Sequence, residues 1–552
     1  MKKLIISLIL SILICRLPFI DIKTQIVGEV GDIYQFMFLM DVSGDNLSQG
    51  NYLFSSSNRM RYPLGFDFTS TSDGALAIIT GAFLCRVFPI VVSYNLTISF
   101  IVFLNLFLSL VFFEKINKLL NLRATSLAIY SSTIVFALSP YVIARTNGHP
   151  SLAFIAGFPV LTYAVIALYK KLASSQKLGK EEYITFYAGL LLISYGSIQY
   201  LIAIAWLVLL VMGGTYAYTF FSKRKVVFTG IPFLISFVFD RPLFNFSLFV
   251  AAALLFIYPY KGYLTTLMFK RVTLPPFSIF PTVYDLFIPN GYLGKFWSYI
   301  NPSPVQIETV ATVGFVEVIL LGFLIYKTNV AWIKKTFIAG IFIYILFALH
   351  ILSLPLYSEG SRLVVFLSLG LSLLILFSDS FMNKKFAATM LLLLVLERFT
   401  FAVYATDVPS KFIEDVKETP GETVLVLPFT VKDPVRNSIA TFTDKKLYDG
   451  YFHRVANTPE YFEHVYNSPF ENFTCSFDDI YLIYPVKPNP TDPLTLIEDL
   501  KEAEVQTIVV FKKNVINIYM PECSRALENF ESVSGMLTRV AESPAYDVYI
   551  IN

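Results

Sequence analysis

The chain has 552 residues, 55% of them hydrophobic and 15% charged, with a mean hydropathy of +0.62. Soluble domains carry about 25% charged residues, so most of this polypeptide is expected to be solvated by lipid. A formal net charge of +3 over this length, without an arginine-rich tract, leaves no electrostatic footprint for nucleic acid.

Lys2-Lys3 and the apolar run after them resemble a secretory signal, but the run ends in Arg16-Leu17-Pro18-Phe19 without a small-residue cleavage site. We read residues 4–20 as a first transmembrane helix that is retained. Residues 21–93 follow as a long first outer loop. Connectors beyond about 15 residues are usually functional or disordered. This one holds Tyr34, Phe36, Phe38, Tyr52, Phe54, Tyr62, Phe66 and Phe68, too many aromatics for disorder.

A spanning helix needs about 20 mainly apolar residues. The next candidates are 94–113, 124–141, 151–169, 183–198, 201–221 and 244–258. After an outer loop at 259–308 come 309–326, 336–352, 363–377 and 386–401. Two further apolar stretches, 75–92 with Arg86 and Pro89 and 226–239 with Pro232, read as helices lying in the interface. That leaves about eleven spans, and every inner loop is then basic. Lys2-Lys3, Lys115 with Lys118 and Arg123, Lys170-Lys171, Lys223-Arg224-Lys225 and Lys384-Lys385 all fall on one side. The positive-inside bias makes that side cytoplasmic. Asp32, His149, the 259–308 loop and everything after residue 404 are then extracytoplasmic.

Residues 405–552 contain no spanning stretch and carry more charge. Strands are expected at 423–427, 506–511, 516–520 and 546–551, and an amphipathic helix at 493–504, which together argue for a small α/β domain. Cys475 and Cys523 lie there and could bridge outside the cytoplasm, whereas Cys15 and Cys85 read as small buried hydrophobes.

Among the acids of the first outer loop, Asp32 stands apart by position. It follows Gly31 shortly after a helix exit, so the backbone can turn its carboxylate over the membrane surface. Burial beneath an aromatic loop would raise its basicity. His149 sits at an outer helix start, where it either contacts substrate or makes a helix-end hydrogen bond. Glu308 opens a span, where a carboxylate favours the helix dipole or a ligand. Tyr195 and Gln199 flank a short outer turn and either bind sugar or satisfy backbone groups. No P-loop, zinc signature, Gly-x-Ser-x-Gly elbow or Ser-x-x-Lys pattern is convincing.

The order helix, Gly31-Asp32, Tyr62-Pro63-Leu64-Gly65-Phe66-Asp67, interfacial helix and Tyr94-Asn95-Leu96 resembles the GT-C superfamily, polytopic glycosyltransferases that use polyprenyl-phosphate-linked sugars. Ser139-Pro140-Tyr141 with Arg145 and Gly148-His149-Pro150 is similar to an outer loop of bacterial and archaeal GT-C-like proteins. Asp285-Leu286-Phe287-Ile288-Pro289 and Glu308 with Gly314 resemble their large outer loop. Thr443-Asp444-Lys445-Lys446 and Gly450-Tyr451-Phe452-His453-Arg454 resemble a motif of their C-terminal domains, including those of the YfhO-like branch.

The resemblance implies a membrane all-α, GT-C-like domain over 1–404 and a soluble extracytoplasmic α/β domain over 405–552. It implies Asp32 as catalytic base of an inverting transfer from a polyprenyl-phosphate sugar donor to a cell-envelope glycan, lipid or protein acceptor. The leaving lipid phosphate calls for cations, and Arg145, Lys270, Arg271 and Arg362 are the candidates. His149, Tyr195, Gln199, Asp285 and Glu308 are candidate substrate contacts. No oligosaccharyltransferase-type WWD-like motif and no Asp-x-Asp pair follows, so neither a metal ion nor a cofactor is expected. Two rivals remain. A non-catalytic lipid-glycan binding factor of the same fold would be indifferent to Asp32. A transporter or flippase would favour ionisable residues in mid-span and inverted repeats, and the sequence displays neither.

Overall fold

The computed structural model describes residues 1–29, 32–65, 68, 74–174, 176–209, 241–269, 281–301, 303, 307–327, 331–349, 351–352, 360–427, 435–448, 473, 492–512 and 524–551. The chain starts with α1 (Lys2–Ile14), which ends early because Arg16 takes a left-handed conformation and Pro18 cannot continue a helix. A short strand β1 (Gln25–Val27) follows, then α2 (Asp32–Ser48), α3 (Ala75–Cys85) and the long α4 (Ile90–Leu119).

The first outer segment is therefore not only loop. The block from Ile33 to Met40 is wholly buried in α2, and the helix runs parallel to α3. Gly74 lies against Phe36, Gly81 against Met40, and Gly44 against Ala82 and Cys85. Only small residues at these crossings let the backbones approach so closely.

The helices α1 and α4 pack together, and Lys3 pairs with Glu114, so the start of one and the end of the other share a side. The next helices are α5 (Ser126–Ala137) and α6 (Pro140–Thr146), bent by 49° at their junction. Sequence dictates that break: Ser139 caps the Val142 amide and Pro140 occupies the first helical position. Then come α7 (Pro150–Ala153), α8 (Gly157–Ala173), α9 (Lys180–Gly196), α10 (Ile198–Leu209) and α11 (Pro242–Phe269). The last continues through Pro259, beyond the span end expected at residue 258.

Four helices close this region: α12 (Phe315–Lys327), α13 (Ala331–Ala348), α14 (Val364–Phe377) and α15 (Lys384–Phe399). The span expected to begin at residue 309 starts as helix only at Phe315, after Gly314 at φ +124°. There the Glu397 carboxylate accepts the amides of Phe315 and Val316, and Arg398 pairs with both Glu317 and Glu397. These three charges are buried, yet they lie at helix ends rather than in mid-helix.

Among the described residues three helices are long and apolar enough to cross a bilayer: Ile90–Leu119, Pro150–Leu172 and Pro242–Lys261. The bent pair α5 and α6 makes a fourth if counted as one span. Ala75–Cys85, Ile198–Leu209, Phe337–Ala348 and Ser361–Phe377 are shorter apolar helices. The expected stretch 226–239 and most of 201–221 fall outside the described residues.

After α15 the chain forms β2 (Ala405–Asp407), which pairs antiparallel with β1. Next come α16 (Ser410–Lys417), β3 (Thr423–Leu427), α17 (Arg436–Phe442), β4 (Lys446–Leu447), α18 (Pro493–Glu502), β5 (Thr507–Phe511), α19 (Ser524–Ser534), β6 (Thr538–Glu542) and β7 (Tyr546–Ile550). The sheet order is β4-β3-β5-β7-β6, parallel across the first three strands and antiparallel across the rest. Strands β3 and β5 are buried at every residue, as their unbroken apolar runs require. The expected strand at 516–520 and both C-terminal cysteines, Cys475 and Cys523, lie outside the described residues.

A single apolar core joins the two regions, running from Ile33 and Met37 of α2 through Trp297 to Leu425 and Val548 of the sheet. Residues 59–62 extend the sheet at its β4 edge. Met60 bridges Leu447, the Tyr62 amide donates to the Leu447 carbonyl (3.1 Å), and the Leu447 amide donates to the Arg59 carbonyl (2.8 Å).

Candidate active site

The site is built on the turn between α6 and α7. The amides of Gly148 and His149 donate to the Arg145 carbonyl and close α6; Pro150 then opens α7. His149 is left between two helices, facing the first turn of α2. Its Nδ1 lies 2.6 Å from Asp32 Oδ2, and each side chain is 20% exposed, so the pair is held yet reachable. Asp32 in the first turn of α2 is favoured by the helix dipole. Tyr94 of α4 lies within electrostatic reach of the same carboxylate.

Asn147 is the hub of this turn. Its carbonyl accepts the Glu29 amide at 2.7 Å, its Nδ2 donates to the Ala402 carbonyl and its Oδ1 accepts the Tyr404 amide, both at 3.0 Å. The Gly28 amide donates to the Tyr404 carbonyl (2.8 Å), continuing the β1–β2 pairing up to the site. Gly28 has φ +119°, and a Cβ there would stand 2.6 Å from the Asn147 carbonyl oxygen, so only glycine fits.

Beside this hub stands Tyr292, near enough to Glu29 for that carboxylate to act electrostatically on its phenol. Burial pushes the Tyr292 phenol well above its ordinary value; Glu29 adds to the shift and Arg145 opposes it. Burial and then Glu29 also push up Tyr404. The Tyr404 hydroxyl donates to the Tyr292 carbonyl (2.6 Å), and their rings meet at 5.6 Å.

The other expected site residues divide. Arg145 is fully buried with its guanidinium 5.0 Å from the Tyr141 ring. Arg362 is buried on the 3-10 turn Gly360–Leu363 that leads into α14. Asp285 is spent on its own loop. It accepts from the Thr282 amide and hydroxyl and from Asn301 Nδ2, capping the short helix Val283–Phe287. The Tyr195 hydroxyl donates to the Leu255 carbonyl (2.8 Å), joining α9 to α11, and the Gln199 amide donates to Ser197 Oγ (3.3 Å). Glu308 is placed only as backbone, in the turn Ile307–Thr309. Lys270 and Arg271 lie outside the described residues, as does Gly31. Among the described residues no group of three or more His, Cys, Asp or Glu side chains is arranged to hold a metal ion.

Of the residues the sequence singled out, the structure brings Asp32 and His149 into contact; Asn147, Tyr292 and Tyr404 around the same turn were not singled out. Asn147 does precede the Gly148-His149-Pro150 motif, but nothing local marks its hub role.

No family model and no curated protein matches the sequence. Solved structures do share the fold. Arabinofuranosyltransferase AftD from Mycobacteria matches over 100% of this chain at a TM-score of 0.51 and 13% identity. A mutant form of the same enzyme matches at 0.50 and 13%. The oligosaccharyltransferase of Archaeoglobus fulgidus aligns at 0.46 and 12%, over 73% of its own length. The chain spans 40% of the length of AftD. At this identity the likeness is one of fold: this chain shares the fold of the arabinofuranosyltransferase AftD.

Proposed function

We propose that the chain is an inverting glycosyltransferase that moves a sugar from a polyprenyl-phosphate donor to a cell-envelope acceptor, on the extracytoplasmic face of the membrane. The observation that carries this reading is the Asp32–His149 contact at 2.6 Å, at the head of α2 in a fold shared with an arabinofuranosyltransferase. The side assignment rests on charge: Lys3 and Lys118 lie with Glu114 at the far end of α4 from Asn95. The basic end is cytoplasmic by the positive-inside rule.

In the reaction an acceptor hydroxyl attacks the anomeric carbon from the face opposite the phosphate. The bond from that carbon to the phosphate oxygen breaks, and the proton of the hydroxyl passes to Asp32. Polyprenyl phosphate leaves with the bonding electrons, and the anomeric carbon is inverted. His149 holds Oδ2 of Asp32 and so orients the carboxylate, a general base needing hydrogen-bond reach to the proton it takes. Arg145 and Arg362, with Lys270 and Arg271, are the cations proposed to receive the phosphate charge. Residues 405–552 are proposed as the domain that orients the acceptor.

The test is transfer from radiolabelled polyprenyl-phosphate sugars by membranes carrying wild type or Asp32→Asn, with protein accumulation matched. Loss of a positioned base is expected to lower transfer by about 10²- to 10⁴-fold. Equal rates in the two proteins sink the mechanism. No transfer by either, with saturable lipid binding by both, replaces the enzyme with a binding factor of the same fold.

A further inference from the structure

We propose that the basic ends of α4 and α8 form a seat for the phosphate of an anionic lipid headgroup, in the leaflet on that side of the membrane. The proposal rests on the chain being a membrane protein and is independent of the glycosyl-transfer reading.

Helix length sets the level of the seat. About 20 residues of helix cross the hydrocarbon core, so α4, starting at Ile90, is through it near Leu110. The apolar helix Pro150–Leu172, which contains α8, is through it near Lys170. Lys115 and Lys170 therefore stand at headgroup depth on two helices that pack side by side. The Lys115 ammonium lies 5.1 Å from the Phe112 ring and 5.3 Å from the Tyr163 ring, and those two rings meet edge to face at 5.5 Å. Lys170 donates to the Leu119 carbonyl at the end of α4. Each cation thus reaches across to the other helix. Their anchor points on α4, Lys115 and Leu119, are about 6 Å apart along the axis.

A lysine that merely snorkels to the interface needs only water for its ammonium. Here the balance of charge calls for an anion. Residues 112–123 and 169–182 carry seven Lys or Arg against three Glu. Two of those carboxylates are spent: Glu114 on Lys3 and Lys118, and Glu182 on Lys171 at 2.5 Å and on the Gly179 amide at 2.7 Å. The third, Glu181, lies in the first turn of α9, where the helix dipole holds it. Among the described residues neither Lys115 nor Lys170 is in an ion pair. Two compact ammonium charges, fixed by rings and a carbonyl rather than by carboxylates, suit a phosphate group, which a lysine binds as a point charge. A lipid brings that phosphate to the depth where the two cations stand, and Tyr163 is the kind of ring that settles there.

The experiment measures binding of labelled phosphatidylglycerol and of labelled phosphatidylcholine to the purified full chain in detergent. Wild type is expected to prefer the anionic lipid by about 10- to 30-fold, since each lysine near an anionic headgroup is worth about fivefold. Lys115→Gln and Lys170→Gln should each lower that preference about fivefold and leave phosphatidylcholine binding unchanged. Lys115→Arg, which keeps the charge and the ring contacts, should retain it. Lys170 is exposed, so Lys170→Gln tests the seat even where Lys115→Gln fails to accumulate. The control is Lys384→Gln with Lys385→Gln, two charges removed at the start of α15 on what is read as the same side. It should leave the preference within about 2-fold. An equal loss in that control reduces the seat to the general field of a basic surface and overturns the proposal. A wild type that does not discriminate between the two lipids also overturns it. Displacement of the labelled lipid by inorganic phosphate at matched concentration makes the ligand a soluble anion, and overturns it too.

Discussion

Arg59 is where the helix carrying Asp32 is fastened to the C-terminal sheet, and removing its charge should loosen α2 by a calculable amount. Its guanidinium pairs with Asp41 at 2.7 Å and Asp45 at 3.1 Å, donates to the Ala440 carbonyl of α17, and lies 5.7 Å from the Phe38 ring. The side chains of Arg59 and Asp41 are 21% and 25% exposed, while Asp45 is 58% exposed and contributes little. An exposed pair is worth about 0–1 kcal/mol, and breaking a fully buried one costs about 3–5. The geometry lies between, so Arg59→Met should cost about 2 kcal/mol. Burial already holds Asp41 above the usual carboxylate range, with Arg59 opposing. A raised carboxylate favours the folded state below its unfolded value, and that contribution is lost as pH rises through the folded one. The cost of losing Arg59 is therefore largest near neutral pH, where Asp41 is ionised and orphaned. The assay is hydrogen exchange of the α2 amides at pH 7, where about 2 kcal/mol accelerates opening about 30-fold. In an Asp41→Asn background the same change should cost less than about 1 kcal/mol, because no charge is orphaned. Equal costs in the two backgrounds, or less than about 3-fold acceleration in the first, refute the argument.

Arg398→Met strands the buried carboxylates Glu317 and Glu397, at a cost of about 3–5 kcal/mol. Monodisperse protein in detergent should fall sharply and recover in part when Glu317→Gln is added; wild-type yield from Arg398→Met alone refutes this. Asn147→Ala leaves the Tyr404 amide and the Ala402 carbonyl unpaired, each costing about 1–3 kcal/mol. Its thermal midpoint in detergent should drop further than that of Asn147→Asp, which still accepts from Tyr404.

What was legible in the sequence was whatever local composition determines. Unbroken apolar runs announced β3 and β5. The edge strand β6, Thr-Arg-Val-Ala-Glu, is largely exposed and exists by pairing with β7, so no periodicity marks it. Helix α2 was read as loop because its apolar block from Ile33 to Met40 is short and Asp41, Ser43, Gly44 and Asp45 follow. That polar end is stabilised by Arg59, a residue beyond the end of the helix, and by contact with α17. A propensity argument sees the acids and not the cation that neutralises them.

The site was half legible for a related reason. Asp32 opens α2 and His149 sits in the Gly148-His149-Pro150 break between two helices, positions that the sequence order marks. The rest is assembled from four segments, around Gly28, Asn147, Tyr292 and Tyr404, each more than 100 residues from the next and joined by hydrogen bonds that all involve a backbone group. Backbone groups are the same in every residue, so such a junction leaves little trace in the order of side chains. Asn147 is the exception in kind: its amide supplies one donor and one acceptor, which is what a strand residue would offer to Ala402 and Tyr404. It can therefore act as an extra rung beside the β1–β2 pair while its own carbonyl holds Glu29. This is why Asn147→Asp, which keeps the acceptor and loses only the donor, should leave Tyr404 in place. It is also why Asn147→Ala, which loses both, should release the Tyr404 amide and the Ala402 carbonyl together.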